Sequence, residues 1–119
     1  PEVDIHCPDK AKAEEIMHGI MQEYVAKLHE GAKIMFKVTI PTVDNLYADL
    51  MKDANVVRVV ALSGGYSMDD ANEKLARNHG LIASFSRALA QDLRFTQSDE
   101  EFNTILKKAI DSIYQASIT

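Results

Sequence analysis

Residues 33–42 of the chain read Lys33-Ile34-Met35-Phe36-Lys37-Val38-Thr39-Ile40-Pro41-Thr42. Even-numbered positions in this segment carry apolar side chains down to residue 40, and this period of two predicts a β-strand with one apolar face. Lys37 lies in the middle of the other face. One interpretation of Lys37 is a lysine that faces solvent or protects a sheet edge, which is a common use of this residue in sheets.

A second segment, residues 55–63, is apolar on both faces apart from Arg58. Strands of a parallel sheet that is covered by helices have this composition. We therefore expect Lys37 to lie in a sheet that is buried on both sides. An ammonium group among apolar walls loses hydration, which favours the neutral amine, and the neutral amine adds to carbonyls to form a Schiff base. The pattern thus indicates covalent carbonyl chemistry.

The composition fits one globular domain, with 119 residues, 13.2 kDa and 46% hydrophobic residues. A net charge of -5 with acidic and basic residues interspersed offers no basic face for a nucleic-acid backbone, so we expect no nucleic-acid partner. The single Cys7 has no partner for an internal disulfide, and no apolar run approaches the roughly 20 residues that cross a bilayer. We expect a cytoplasmic protein without a membrane partner.

The predicted elements alternate along the chain. Apolar residues at helical spacing predict a long helix from Asp9 to Gly31. The remaining predictions are a short helix introduced by Thr42 as N-cap, a helix from Ser67 to residues 78–80, a strand at 81–86, a brief helix at 87–93 and a terminal helix opened by the capping box of Ser98 and Glu101.

This order, helix and then strand and helix three times, predicts parallel strands joined by right-handed crossovers. An open α/β sheet of this size is one interpretation. The beginning at Pro1-Glu2, which has neither an initiator methionine nor a secretion signal, favours another. We expect residues 1–119 to be the C-terminal portion of a (β/α)8 barrel, with about strands six to eight present and the N-terminal strands absent.

Polar residues follow two neighbouring strands. Glycines in Ser63-Gly64-Gly65 would let backbone N–H groups approach an anion at a helix start, although a tight turn that needs positive φ explains them as well. Ser86 and Arg87 end the next strand with groups suited to phosphate, and the alternative is a salt bridge from Arg87 to a nearby acid. Phosphate sites of barrels lie in the loops after strands seven and eight.

Metal and hydrolase chemistry find little support in the sequence. The histidines are scattered, and Cys7 has no second thiol, so we expect no metal site. A Gly-x-Ser-x-Gly nucleophile elbow is also missing.

Three segments together resemble class I fructose-bisphosphate aldolase, the Schiff-base type, and most closely its bacterial-type branch. They are residues 33–42, residues 56–67 with a Leu-Ser-Gly-Gly-x-Ser core, and residues 83–89 with Ala-Ser-Phe-Ser-Arg-Ala-Leu. The resemblance spans essentially the whole chain. It implies a (β/α)8 barrel that reversibly cleaves fructose 1,6-bisphosphate to dihydroxyacetone phosphate and glyceraldehyde 3-phosphate in glycolysis and gluconeogenesis, with no metal and no other cofactor.

The resemblance also implies roles for particular residues. Lys37 matches the Schiff-base lysine on the sixth strand. The phosphate cradle falls on Ser63 and Gly64 after the seventh strand and on Arg87 after the eighth, with Ser86 beside it. Pro1-Glu2 matches the end of the Glu-Pro-Glu motif on the fifth strand, which makes Glu2 its second carboxylate, a group that positions and polarises its neighbours near the lysine. The family's other acidic and lysine residues precede this segment, so the chain carries only part of that active site.

Two other interpretations remain open. The chain could come from a different Schiff-base aldolase that acts on another sugar phosphate. It could also be a catalytically incomplete piece with a structural or binding role, forming a homo-oligomer or pairing with a complementary N-terminal half, because a partial barrel exposes apolar strand edges.

Overall fold

A computed structural model describes residues 1–119. The helices are α1 (Lys10–Val25), α2 (Met68–Ala76) and α3 (Asp99–Ser117), and the strands are β1 (Ile34–Thr39), β2 (Val56–Leu62) and β3 (Ile82–Ala83), with one 3-10 turn at Leu50–Lys52. None of the helices combines the length and the apolar composition that a bilayer-spanning segment requires.

The strands form one parallel sheet in chain order, β1-β2-β3. In register, Lys37 of β1 lies opposite Val60 of β2, and Val60 lies opposite Ile82 of β3. The predicted α/β class with consecutive parallel strands is confirmed. This register also fixes the faces, because residues opposite one another in adjacent strands point to the same side.

One face of the sheet carries the core. Its strand residues pack against side chains from all three helices, as expected when consecutive parallel strands are joined by crossovers of one hand. The cluster includes Val38, Ile40, Val59 and Ala61 from the sheet and its margin, and Met21, Val25, Ala71, Leu75 and Ala116 from the helices.

The opposite face is open at the start of β1 and β2 but buried at Thr39 and Leu62 near the carboxyl end, so the prediction of a sheet buried on both sides is wrong for the part that carries Lys37. Met35 is 60% exposed, and Lys37 and Arg58 are exposed beside it. Val60, opposite Lys37, is buried. The reason lies in the topology, because strands in simple order receive all their helices on one side. An apolar composition on both faces of β2 did not reveal that no helix of this chain covers the second face.

Several predicted elements are shorter than expected or absent. Helix α1 ends at Val25, well before Gly31, and the region after Thr42 forms turns and one 3-10 turn rather than a helix. In the segment 87–93, residues 87–92 form turns and no helix. These two segments are too short to offset the cost of helix nucleation without strong caps. The strand predicted at 81–86 is reduced to two residues.

The helix starts predicted at Ser67 and Ser98 are confirmed, whereas the start predicted at Thr42 is wrong. The Ser67 hydroxyl accepts a hydrogen bond from the Asp70 N–H, and Ser98 and Glu101 form a complete capping box at the start of α3. Each cap satisfies backbone N–H groups that have no partner within the helix.

Candidate active site at the carboxyl edge of the sheet

The candidate residues follow the carboxyl ends of the strands. Lys37 lies two residues before the end of β1, Ser63 directly follows β2, and Ser86 and Arg87 come shortly after β3. Because the strands are parallel, these positions lie along one edge of the sheet. In α/β proteins ligands bind at this edge.

Lys37 presents its amine on the open face of the sheet. The side chain is exposed, and it makes no hydrogen bond or ion pair within the chain. The apolar surroundings predicted for Lys37 from the sequence are therefore present only toward β2, where the buried Val60 lies opposite in register. The amine is free to react with a ligand that approaches this face.

Glu2 is held near the end of β1 through its neighbour. The hydroxyl of Thr39 accepts a hydrogen bond from the Val3 N–H at 3.1 Å and donates one to the Val3 carbonyl at 3.0 Å. Thr39 is 1% exposed, and it shares the Lys37 face because it lies two residues further along the strand. Glu2 itself is exposed and has no ion-pair partner in the chain. The structure thus brings the start of the chain to the strand of Lys37.

The Ser63-Gly64-Gly65 turn packs against the same region. Ser63 is buried, and its carbonyl accepts a hydrogen bond from the Tyr66 N–H at 3.0 Å. Gly64 and Gly65 have φ values of +64° and +110°, so the tight-turn interpretation of these glycines is correct. A Cβ on Gly64 would lie 2.9 Å from Ile5 Cγ2 and 3.1 Å from Thr39 Cγ2. Close backbone packing therefore joins this turn to β1 and to the N-terminal segment.

Arg87 reaches toward the glycine turn. Its Nη1 lies 4.0 Å from the position that a Cβ on Gly65 would occupy, so the loops after β2 and β3 converge. The guanidinium is exposed and forms no salt bridge, which leaves its donors free for an external anion. The salt bridge considered as an alternative is not found. Ser86 is also exposed, and its hydroxyl makes no hydrogen bond.

Tyr66 lies next to the glycine turn. Partial burial raises the pKa of its phenol, and the charges of Glu14 and Asp70 raise it further. The phenol therefore stays neutral and can act only as a hydrogen-bond donor or acceptor near the candidate site.

A buried ion pair lies beside the end of β1. Lys10 and Glu14 are 6% and 0% exposed and form an ion pair within α1. The Lys10 ammonium also donates to the Ile40 carbonyl at 2.9 Å, and Glu14 accepts the Thr42 N–H at 2.8 Å. The pair thus ties α1 to the residues that follow β1. Sequence reasoning missed it, although the i,i+4 spacing of a lysine and a glutamate was a usable signal.

The chain offers no ready metal site. No group of three or more His, Cys, Asp or Glu side chains lies close enough together to hold an ion. The structure brings the Arg87 guanidinium close to the Gly64-Gly65 turn and ties the segment that carries Glu2 to Thr39, two residues beyond Lys37 on β1. These groups are suited to a carbonyl compound that carries a phosphate.

The chain is similar over its whole length to bacterial enzymes named fructose-bisphosphate aldolase class 1. It is 56% identical over 119 residues to those of Synechocystis sp. and Clostridium acetobutylicum, which covers 100% of the chain and 40% of each relative. The chain is homologous to class 1 fructose-bisphosphate aldolases. The Porphyromonas gingivalis aldolase is 56% identical over 118 residues, with 99% of the chain and 40% of the relative covered.

The chain therefore spans less than half the length of the aldolases that it matches. No family model matches it. The identity to the aldolases extends through all three strands and the loops that follow them, so the candidate residues from Glu2 to Arg87 lie within the matched region.

Proposed function

We propose that this chain is the C-terminal portion of a class I fructose-bisphosphate aldolase. The single observation that carries the proposal is 56% identity to enzymes of that name across all of the chain. In this proposal β1, β2 and β3 are strands six to eight of a (β/α)8 barrel. Their parallel order and helices on one face support the assignment, because a barrel carries its helices on the outside only.

The proposed reaction begins at Lys37. The neutral amine adds to the C2 ketone of fructose 1,6-bisphosphate, and loss of water from the carbinolamine gives a protonated iminium. A base then removes the proton of the C4 hydroxyl. The C3–C4 bond breaks, glyceraldehyde 3-phosphate leaves, and the electron pair of the broken bond is taken up by the iminium to form an enamine. Protonation at C3 and hydrolysis release dihydroxyacetone phosphate and regenerate the amine.

The other candidate residues hold the substrate for this reaction. Gly64 and Ser63 offer backbone and hydroxyl donors, and Arg87 offers an unpaired guanidinium on the neighbouring loop. We assign them, with Ser86 beside them, to the phosphate of the ketose half. Glu2 is assigned to positioning and polarising groups near the amine. Holding the phosphate fixes the carbonyl over Lys37, which converts the addition into an effectively unimolecular step.

The test is reductive trapping in the intact protein that carries this chain. Sodium borohydride added with dihydroxyacetone phosphate should label Lys37, and Lys37→Met should abolish both the label and turnover. Lys33→Met is the matched control, because the Lys33 ammonium is tied to the Ala54 carbonyl at 2.6 Å and should leave the label in place. Labelling of Lys33 or Lys52 instead of Lys37 would contradict the assignment, and an absence of label would overturn the Schiff-base reaction.

Substrate identity needs a separate measurement. A panel of ketose phosphates compared by kcat/KM should rank fructose 1,6-bisphosphate first, whereas another substrate at the head of the panel would indicate the alternative Schiff-base aldolase. We propose a cytoplasmic location for a glycolytic enzyme of this kind, a proposal that the lone Cys7 supports because disulfides mark secreted proteins.

A second candidate, association through the exposed edge of the sheet, is favoured by one observation. A groove of about 500 Å³ between β3 and α3 is lined mainly by apolar residues, among them Ile82, Leu89, Ile110 and Tyr114. Such a surface favours association. Sedimentation and denaturant unfolding of the 119-residue chain alone test this role. A monomeric chain that unfolds cooperatively would exclude it.

A further inference from the structure

Thr39 joins three parts of the candidate site. Its hydroxyl holds both backbone groups of Val3, at 3.1 Å and 3.0 Å. Its methyl carbon, Cγ2, lies 3.1 Å from where a Cβ on Gly64 would be. Thr39 lies two residues beyond Lys37 in β1, so the two side chains are on the same face of the sheet. No other side chain hydrogen bond connects residues 1–5 to the sheet.

We propose that Thr39 is a positioning residue. It places the carboxylate of Glu2 relative to the Lys37 amine, and it sets the distance between β1 and the Gly64 turn. This inference rests on the function proposed above. The hydroxyl acts on the N-terminal segment and the methyl group acts on the phosphate turn, so the two halves of one side chain have separable effects.

The residue type fits both tasks. A hydroxyl can donate and accept at once, and Thr39 uses both capacities on Val3. A methyl group on the same β-carbon is held in one rotamer by β-branching, and here it faces the glycine turn. Serine would supply the hydroxyl alone, and valine would supply the methyl group with no hydrogen bond. These two substitutions therefore separate the roles.

The experiment compares Thr39→Val and Thr39→Ser in the intact protein, with Thr104→Val as the matched control. Thr104 lies on α3, where its hydroxyl donates to the Glu100 carbonyl of the same helix and makes no contact with the N-terminal segment or the glycine turn. For Thr39→Val we expect kcat to fall by about 10- to 100-fold, the range that a misplaced group near the chemistry produces, with little change in KM. For Thr39→Ser we expect kcat near that of the wild type and weaker inhibition by inorganic phosphate.

A double-mutant cycle with Glu2→Gln separates positioning from general damage. If Thr39 acts through Glu2, the two substitutions are non-additive, and Thr39→Val gives the pH profile of kcat that Glu2→Gln gives. Additive losses, or a pH profile of wild-type shape, would overturn the proposal. Hydrogen exchange of the Val3 N–H is a second readout, and it should quicken in Thr39→Val and stay slow in Thr39→Ser.

The failure of this inference is distinguishable from the failure of the proposed function. Borohydride trapping on Lys37 in the wild type tests the aldolase reaction itself. A wild type that traps substrate while Thr39→Val turns over normally overturns the role of Thr39 alone. Unchanged exchange of the Val3 N–H in Thr39→Val overturns that role whether or not trapping occurs.

Discussion

The side chain of Ile5 occupies the space into which a side chain on Gly64 would extend. Its Cγ2 lies 2.9 Å from the position of a Cβ on Gly64, and the Thr39 methyl lies 3.1 Å from that position. Gly64 also has a φ of +64°, which costs a residue with a side chain roughly 1–2 kcal/mol. Sterics and backbone conformation therefore both require glycine here.

Gly64→Ala should lower the free energy of unfolding by at least about 1–2 kcal/mol and weaken binding of inorganic phosphate. The matched control is Gly19→Ala in α1, where nothing lies within 4 Å of the added Cβ and helix propensity predicts a gain of about 0.5–1 kcal/mol. Urea unfolding of both variants provides the comparison. Equal effects of the two substitutions would refute the packing argument.

The buried pair of Lys10 and Glu14 should contribute strongly to stability. Removal of one partner leaves an uncompensated buried charge, so Lys10→Met or Glu14→Leu alone should cost about 3–5 kcal/mol. The double substitution should cost less than the sum of the single ones. The exposed pair of Lys12 and Glu15, 69% and 68% exposed, is the control and should yield less than about 1 kcal/mol. Denaturant unfolding of both double-mutant cycles tests this contrast, and similar coupling energies would contradict it.

Arg87 should act on phosphate through its forked donors. Arg87→Lys keeps the charge and loses the fork, so we expect KM for the bisphosphate to rise by about 10- to 100-fold, the equivalent of hydrogen bonds to a charged group. Arg77→Lys is the matched control, since Arg77 pairs with Glu73 and Asp44 on the surface of the protein. A normal KM in Arg87→Lys would remove this residue from the phosphate site.

Asp49 should make a pH-dependent contribution to the free energy of unfolding. Partial burial raises the pKa of this carboxyl, but hydrogen bonds from Gln22 and His18 outweigh that effect and hold it below its ordinary value of 3.8. A lowered pKa in the folded state means that the stabilisation is present above that ordinary value and is lost as the pH falls through the folded value. Asp49→Asn should therefore destabilise the protein near pH 7 by less than about 1 kcal/mol.

The difference between Asp49→Asn and the wild type should shrink toward zero in strong acid. Thermal unfolding at a series of pH values follows this difference. Asp92→Asn is the control, because the Asp92 carboxylate has no hydrogen-bond or ion-pair partner to lose. A constant difference for Asp49→Asn at every pH would contradict the argument.

The sequence predicted best what depends on local chemistry and periodicity. The alternation around Lys37 and the apolar run of residues 55–63 located β1 and β2 correctly, because a period of two and a short continuous apolar run are both signals of strands. Ser67 and Ser98 marked two helix starts, because cap chemistry is local. The roles assigned to Lys37, Glu2, Ser63, Gly64, Ser86 and Arg87 stay predictions that the experiments above test.

Long-range relationships were beyond the sequence. Nothing in the local pattern shows that Thr39 would hold Val3, 36 residues away, or that Lys10 would reach the Ile40 carbonyl. The open face of the sheet was missed for a related reason. Whether the side of a strand opposite its helices is covered depends on the arrangement of whole elements, and an apolar side chain there gives no answer by itself.

The attachment of β3 to α3 can form only late in synthesis. The Ala83 N–H donates to the Ser117 hydroxyl, 34 residues later in the chain. On a ribosome, β1 and β2 can pair while the rest of the protein is still being translated, but this N–H group has no protein partner until residue 117 has left the exit tunnel. The loop that carries Arg87 should therefore be the last part of the candidate site to become ordered in a nascent chain.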